Sequence, residues 1–122
     1  MPITPADFLN SSERLVKQTT EVDFRNAASR AYYAAYHKSL ILGDSIPEPE
    51  GDIYGVHARL IRKFLDHPEK TFREVGQQLK NGRSQRTRAD YELKDKFKLS
   101  QAQMAIDHSR RVFSLIEKMS SQ

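Results

Sequence analysis

The segment from Asp23 to Leu42 constrains the fold most, because small and apolar side chains recur along it at helical spacing. One side of the predicted helix carries Phe24, Ala27, Ala28, Ala31, Ala35 and Leu42 at steps of three, four and seven. Alanines let another helix approach closely, so this side is expected to face the core. Gly43 is expected to end the helix. The sequence therefore predicts a long helix at the centre of a helical protein.

Four further segments have helical patterns, and no segment is a convincing strand. The first helix is predicted from a Thr4 cap and Pro5 to near Thr20, with Asp7 at its third position. The others are expected at about 53–65, about 69–93 and from Ser100 to 119, where Gln103 would complete a capping box. Short loops between them predict an all-α, up-and-down bundle of four to five helices, forming one domain over residues 1–122.

Composition excludes several classes of protein. The absence of cysteine excludes disulfide scaffolds and thiolate metal sites. No apolar run approaches the ~18 residues of a membrane span, and the N-terminal residues do not resemble a signal peptide, which predicts a cytoplasmic protein without membrane contact. No two histidines lie four apart on one predicted helix and no glycine-rich phosphate loop is present, so neither a metal nor a cofactor is expected.

The positive charge is concentrated in one segment. The segment 80–98 contains seven Lys or Arg against three Asp or Glu, a surplus equal to the net charge of +4. The cations are Lys80, Arg83, Arg86, Arg88, Lys94, Lys96 and Lys98. Such a segment favours a polyanionic partner, with RNA the first candidate, but it also fits a solvated helix end.

Within this segment, charged residues continue an apolar stripe. With Phe72 at 0° on the helical wheel, Leu79 falls at about −20°, Arg83 at about 20°, Arg86 at about −40° and Asp90 at about 0°. Arg86 and Asp90 are four residues apart and can pair. A half-buried ion pair has a desolvation cost, which points to a special role. Alternatively, the helix leaves the core near Asn81 and Gly82, and these side chains are solvated.

Two histidines, His37 and His57, lie on helix faces where they could have a function. Arg30 and His37 enclose six residues on one helix face with Tyr33 between them, which fits either a polar packing surface or a phosphate site. His57 lies in the middle of the apolar face of the third helix, where it is either a hydrogen-bonded core histidine or a catalyst.

Three motifs together resemble the small HEPN-domain proteins of bacteria and archaea. They are RNAASRAYYAAYH at 25–37, VHARLIRKF at 56–64 and RTRADYEL at 86–93, and the resemblance extends from about residue 10 to 118. The family motif Arg-x-x-Ala-Asp-Tyr corresponds here to RTRADY at 86–91. Either Arg86 is the motif arginine or Arg88 is, and the position of Arg86 on the core stripe favours Arg86.

The resemblance implies a dimerising helical bundle, often paired with a nucleotidyltransferase-like antitoxin in toxin–antitoxin or defence systems. Many HEPN proteins resemble metal-independent endoribonucleases with an Arg-x4-6-His motif, in which the histidine acts on the 2′-OH or the leaving oxygen and the arginine steadies the phosphate. Here no histidine follows Arg86 at that spacing. Asp90 is a poor substitute, because a carboxylate beside an arginine stays ionised.

The preferred interpretation is a homodimeric HEPN protein that binds RNA or a protein partner and is non-catalytic or weakly catalytic. The alternative is a metal-independent endoribonuclease toxin. The candidate catalytic residues are Arg86, Asp90, Tyr91 and His57. The candidate nucleic-acid-binding residues are Arg83, Arg88, Arg30, His37, Lys94, Lys96 and Lys98.

Overall fold

A computed structural model describes residues 2–120, and within that range the only regular elements are five helices. They are α1 (Pro5–Leu15), α2 (Glu21–Asp44), α3 (Val56–Leu65), α4 (Lys70–Tyr91) and α5 (Leu99–Ser120). α2 packs against α1, α4 and α5, while α3 packs mainly on α4. The predicted all-α helical bundle is confirmed. None of the helices in this range is both long and apolar enough to cross a membrane.

The first helix begins as predicted but ends earlier. The Thr4 hydroxyl accepts a hydrogen bond from the Asp7 backbone N–H at 3.3 Å, and the Asp7 carboxylate accepts one from the Thr4 N–H at 2.8 Å. The predicted end near Thr20 is wrong, because α1 stops at Leu15. Thr20 instead caps α2, accepting a hydrogen bond from the Asp23 N–H at 3.2 Å.

Gly43 does not end α2, which is a second correction. It lies inside the helix and is buried, and α2 continues to Asp44. A Cβ atom at Gly43 would lie 2.5 Å from Leu60 Cδ1. The glycine therefore allows α3 to approach α2 closely.

Two other helix starts also differ from the sequence pattern. α3 begins at Val56, after Gly55 with a φ of 86°, rather than at Ile53. Ser100 does not cap α5, because it already lies within the helix. The cap is formed two residues earlier, where the Lys98 N–H donates to Gln101 Oε1 at 2.8 Å.

The core consists of two apolar clusters on either side of the middle of α2. Ala27, Ala28 and Ala31 belong to one cluster and Ala35 to the other, which confirms the alanine side as the core side. Phe64 and Leu79 fill the cluster near α3, whereas Phe97 and Ile106 fill the cluster near the C-terminal end of α4. Tyr32 lies between the two alanine groups along α2 and is fully buried.

Candidate functional site

The Arg86–Asp90 pair predicted on α4 is present and half-buried. Arg86 Nε lies 3.0 Å from Asp90 Oδ2, with side chains 15% and 27% exposed. This nitrogen has no hydrogen-bond partner, so its contact with Asp90 is an ion pair without a hydrogen bond. The Ser29 hydroxyl of α2 donates to the same carboxylate oxygen at 3.3 Å. The helix does not leave the core at Gly82, since Gln85 and Ala89 beyond it are also buried.

Arg86 is also held by two tyrosines. Its Nη2 donates a hydrogen bond to the Tyr33 hydroxyl of α2 at 2.8 Å. Its guanidinium carbon lies 5.2 Å from the centre of the Tyr33 ring and 5.4 Å from that of Tyr91. The structure thus brings Arg86, Asp90 and Tyr91 together, with the Tyr91 side chain exposed at the end of α4.

His57 of α3 joins this cluster through Tyr32. Its Nδ1 lies 2.7 Å from the Tyr32 hydroxyl, and its ring centre is 4.4 Å from that of Tyr36. Burial is the main cause that raises the pKa of Tyr32, so the hydroxyl keeps its proton at neutral pH. With Tyr32 as donor, both the hydroxyl hydrogen and the Nδ1 lone pair are used, and the imidazole hydrogen is then on Nε2.

The surroundings of His57 keep it neutral. Burial lowers its pKa most, and the nearby Arg83 and Arg86 guanidinium groups and His37 lower it further. A neutral imidazole adds no positive charge to the two arginines. In this tautomer it presents an N–H donor rather than a free lone pair, which suits recognition of an oxygen atom better than removal of a proton.

Arg83 connects this cluster to a basic surface. It lines a shallow depression of about 530 Å³ together with Lys80, Arg88 and the hydroxyls of Ser84 and Thr87. Arg88 also lines a second depression of about 210 Å³, together with Lys96 and the acidic residues Glu92 and Asp95. We call Lys80, Arg83, Arg88 and Lys96 the basic strip.

Lys94 and Lys98 are exposed in the segment between α4 and α5 that also carries Lys96. They do not line either depression. The cations of the segment 80–98 therefore lie along the C-terminal half of α4 and in the segment that follows it, and four of them line the two depressions.

The three residues of the predicted Arg30–Tyr33–His37 face of α2 do not form one site. The His37 ring lies 6.4 Å from that of Tyr33 and stacks on Phe8 of α1 at 5.4 Å. Arg30 is exposed, and among the described residues it has no side-chain hydrogen bond, ion pair or ring contact. His37 thus lies among the aromatic rings of α1 and α2. Arg30 does not contact the charged residues of α4.

The sequence pattern did not identify Arg25 as a residue of the site, because Arg25 appeared there only as the first residue of the motif at 25–37. It is 7% exposed, and its guanidinium donates to backbone carbonyls at and after the end of α4: Arg88 at 3.1 Å, Ala89 at 2.9 Å, Glu92 at 3.2 Å, and Asp95. The available signal was its spacing, three and seven residues before the buried Ala28 and Tyr32.

The part of the chain from residue 2 to 120 contains no group of three or more His, Asp or Glu side chains that could hold a metal ion. The arrangement offers cations, N–H and O–H donors and aromatic rings, a combination suited to phosphate and base recognition.

The comparisons with known proteins agree with this architecture. The sequence model of the HEPN domain family matches residues 6–119. Neither the curated proteins nor the solved structures give a significant match. Because the family match covers nearly the whole helical bundle, including every residue of the site described above, the chain belongs to the HEPN domain family.

Proposed function

We propose that this HEPN protein binds RNA through the basic strip and does so without efficient cleavage. The observation that carries the proposal is the continuity of the strip, since Arg88 and Glu92 line both depressions and Arg83 lines the larger one. Cations arranged along a surface neutralise successive phosphates and release counterions, which gives salt-dependent binding. Tyr91, exposed beside Arg86, offers a ring on which a base can stack.

The pairing of the central groups argues against efficient cleavage. Attack by a 2′-OH needs a group that accepts its proton and another that protonates the leaving oxygen. Arg86 is engaged by Asp90 and Tyr33, and His57 Nδ1 is engaged by Tyr32. No histidine follows Arg86 at the spacing of the family's Arg-x4-6-His motif. The cluster therefore has the features of a phosphate-recognition site rather than of an acid–base pair.

Family membership supports the wider context of the proposal. HEPN domains often form dimers, so the proposed form is a homodimer. The proposed location is the cytoplasm. A nucleotidyltransferase-like antitoxin is the proposed protein partner, in a toxin–antitoxin or defence-type system. Neither a cofactor nor a metal ion is part of the proposal.

The alternative function is a metal-independent endoribonuclease toxin. The observation that favours it is the neutral His57 beside Arg83 and Arg86, which is an arginine–histidine constellation built from α3 and α4. If Nε2 became the proton acceptor, His57 would act as the base while the arginines steadied the phosphate. Replacing Arg83 or Arg86 should then abolish cleavage, whereas a chelator should not affect it.

The test measures binding and cleavage of labelled transfer or messenger RNA over a salt series, with and without chelator. Three to four phosphate contacts predict a slope of log affinity against log salt near about −2 to −3, because each contact contributes about −0.7 for single strands. Replacing Lys94, Lys96 and Lys98 together by Ala should flatten this slope without unfolding the protein.

A matched control removes three exposed cations from the other end of the bundle. Arg62, Lys70 and Arg73 lie at the end of α3 and the start of α4 and are exposed. Their replacement by Ala changes the net charge equally, and we expect a smaller change in slope. Binding that is undetectable, or insensitive to salt, would discard the RNA proposal. Chelator-resistant cleavage would replace the non-catalytic function with the endoribonuclease.

A further inference from the structure

We infer that Arg25 is the positioning residue that joins the segment 92–97 to the end of α4, so that the basic strip is one surface. This inference rests on the proposed function, because the strip is the proposed RNA-binding surface. Arg25 is itself buried, so it is not one of the cations that would contact a phosphate. It acts through the backbone groups that it holds.

Arg25 reaches two different stretches of backbone at once. Nη1 donates to the carbonyls of Arg88 and Ala89, which belong to the last turn of α4. Nη2 donates to the carbonyls of Glu92 and Asp95, which follow the helix. The last carbonyls of a helix lack partners within the helix, although here the Arg88 carbonyl also accepts the Glu92 N–H at 3.2 Å. A cation there also opposes the negative end of the helix dipole. The planar fork of a guanidinium is the side chain that can satisfy four carbonyls in this arrangement.

Glu21 and Phe97 complete the attachment. The Glu21 carboxylate lies 3.3 Å from Arg25 Nε through one oxygen and accepts the Phe97 N–H at 3.0 Å through the other. The Phe97 ring is buried, with its centre 5.6 Å from the Arg25 guanidinium carbon. The segment is thereby fixed at the Glu92 carbonyl, the Asp95 carbonyl and the Phe97 N–H.

The consequence concerns the cations on both sides of this attachment. Arg88 extends from the last turn of α4 and Lys96 from the fixed segment, and both line the same depression. If the segment were loose, Lys96 and its neighbours would still be charged but would no longer be held at a fixed distance from Arg88. Phosphate contacts would then be lost without any change in net charge.

The main test variant is Arg25→Lys, which keeps the charge but replaces the fork by a single ammonium group. We expect faster amide hydrogen exchange in residues 92–98, with exchange in the middle of α5 unchanged. We also expect the salt-dependence slope to become shallower by about 0.7 to 2, the equivalent of one to three phosphate contacts. Phe97→Leu keeps Arg25 and the net charge, and it should produce a smaller change in the same direction if Arg25→Lys does not fold.

A third variant separates positioning from general destabilisation. If Arg25 acts through the segment, Arg25→Lys should cause no further loss of affinity in a protein that already lacks Lys94, Lys96 and Lys98. An equal loss in both backgrounds, or unchanged exchange and slope in a protein that binds RNA, would overturn the inference. If the wild-type protein binds no RNA, the proposed function fails, and the exchange rates of residues 92–98 alone decide whether Arg25 positions them.

Discussion

The replacement Arg86→Ala is the most direct test of how the central cluster is stabilised. It removes the ion pair with Asp90, the hydrogen bond to Tyr33 and the contacts with two rings. Asp90 keeps the Ser29 hydroxyl and 27% exposure to solvent. The cost should therefore lie below the ~3–5 kcal/mol of breaking a fully buried pair and above the ~1 kcal/mol of an exposed one. We expect the free energy of unfolding to fall by about 2–3 kcal/mol.

Urea denaturation followed by circular dichroism measures this loss. Arg83→Ala is the matched control, because it removes the same charge from the same helix. Among the described residues Arg83 makes no side-chain hydrogen bond or ion pair, so its replacement should cost less than ~1 kcal/mol. The double variant Arg86→Leu/Asp90→Leu should recover part of the loss, since no unpaired charge remains. Equal stabilities of Arg86→Ala and Arg83→Ala would refute this account of the cluster.

Further predictions concern packing and pH. Gly76→Ala should lower the free energy of unfolding by about 1–3 kcal/mol, because its Cβ would lie 2.8 Å from the Leu65 backbone nitrogen. At Gly82 an added Cβ has no neighbour nearer than 3.5 Å, so Gly82→Ala should raise the free energy of unfolding by up to about 1 kcal/mol. Thermal and urea melts measure both changes. Burial lowers the pKa of both His57 and His108, so the unfolded chain binds protons that the folded protein does not. The contribution of these histidines to the free energy of unfolding should thus be fully present above pH 7. It should be lost as the pH drops below about 6.5, the ordinary histidine pKa. His57→Gln should make this fall shallower between pH 7.5 and 5, and an equally steep fall would contradict the role given to His57.

Local rules predicted part of the fold correctly. The Thr4 cap and the alanine side of α2 depend on residues within one or two turns, and both are as expected. Gly43 shows where such rules fail, because its role is set by Leu60 on another helix rather than by its own backbone. The true start of α2 was readable from Thr20 and Asp23, which have the spacing of a helix cap.

The same distinction applies to the candidate site. The Arg86–Asp90 pair was predictable, because two residues four apart on a helix meet whatever the rest of the fold does. The hydrogen bonds from Arg86 to Tyr33 and between Tyr32 and His57 join helices whose arrangement the pattern does not specify. The role of Arg25 was not predictable for a different reason. Its partners on α4 and beyond are backbone carbonyls, which every residue carries.

The alanine side of α2 has a consequence for the alignment of the helices. Five alanines between positions 27 and 35 present a nearly smooth surface, on which a helix shifted by one turn, about 5.4 Å, would find much the same apolar contacts. The polar contacts are not repeated in this way. In a shifted arrangement the buried Arg25 would lose the carbonyls at the end of α4, and Arg86 would lose Tyr33. A buried cation without partners costs on the order of 3–5 kcal/mol, so a few polar contacts select one alignment of α2 and α4 among several that apolar packing alone would allow.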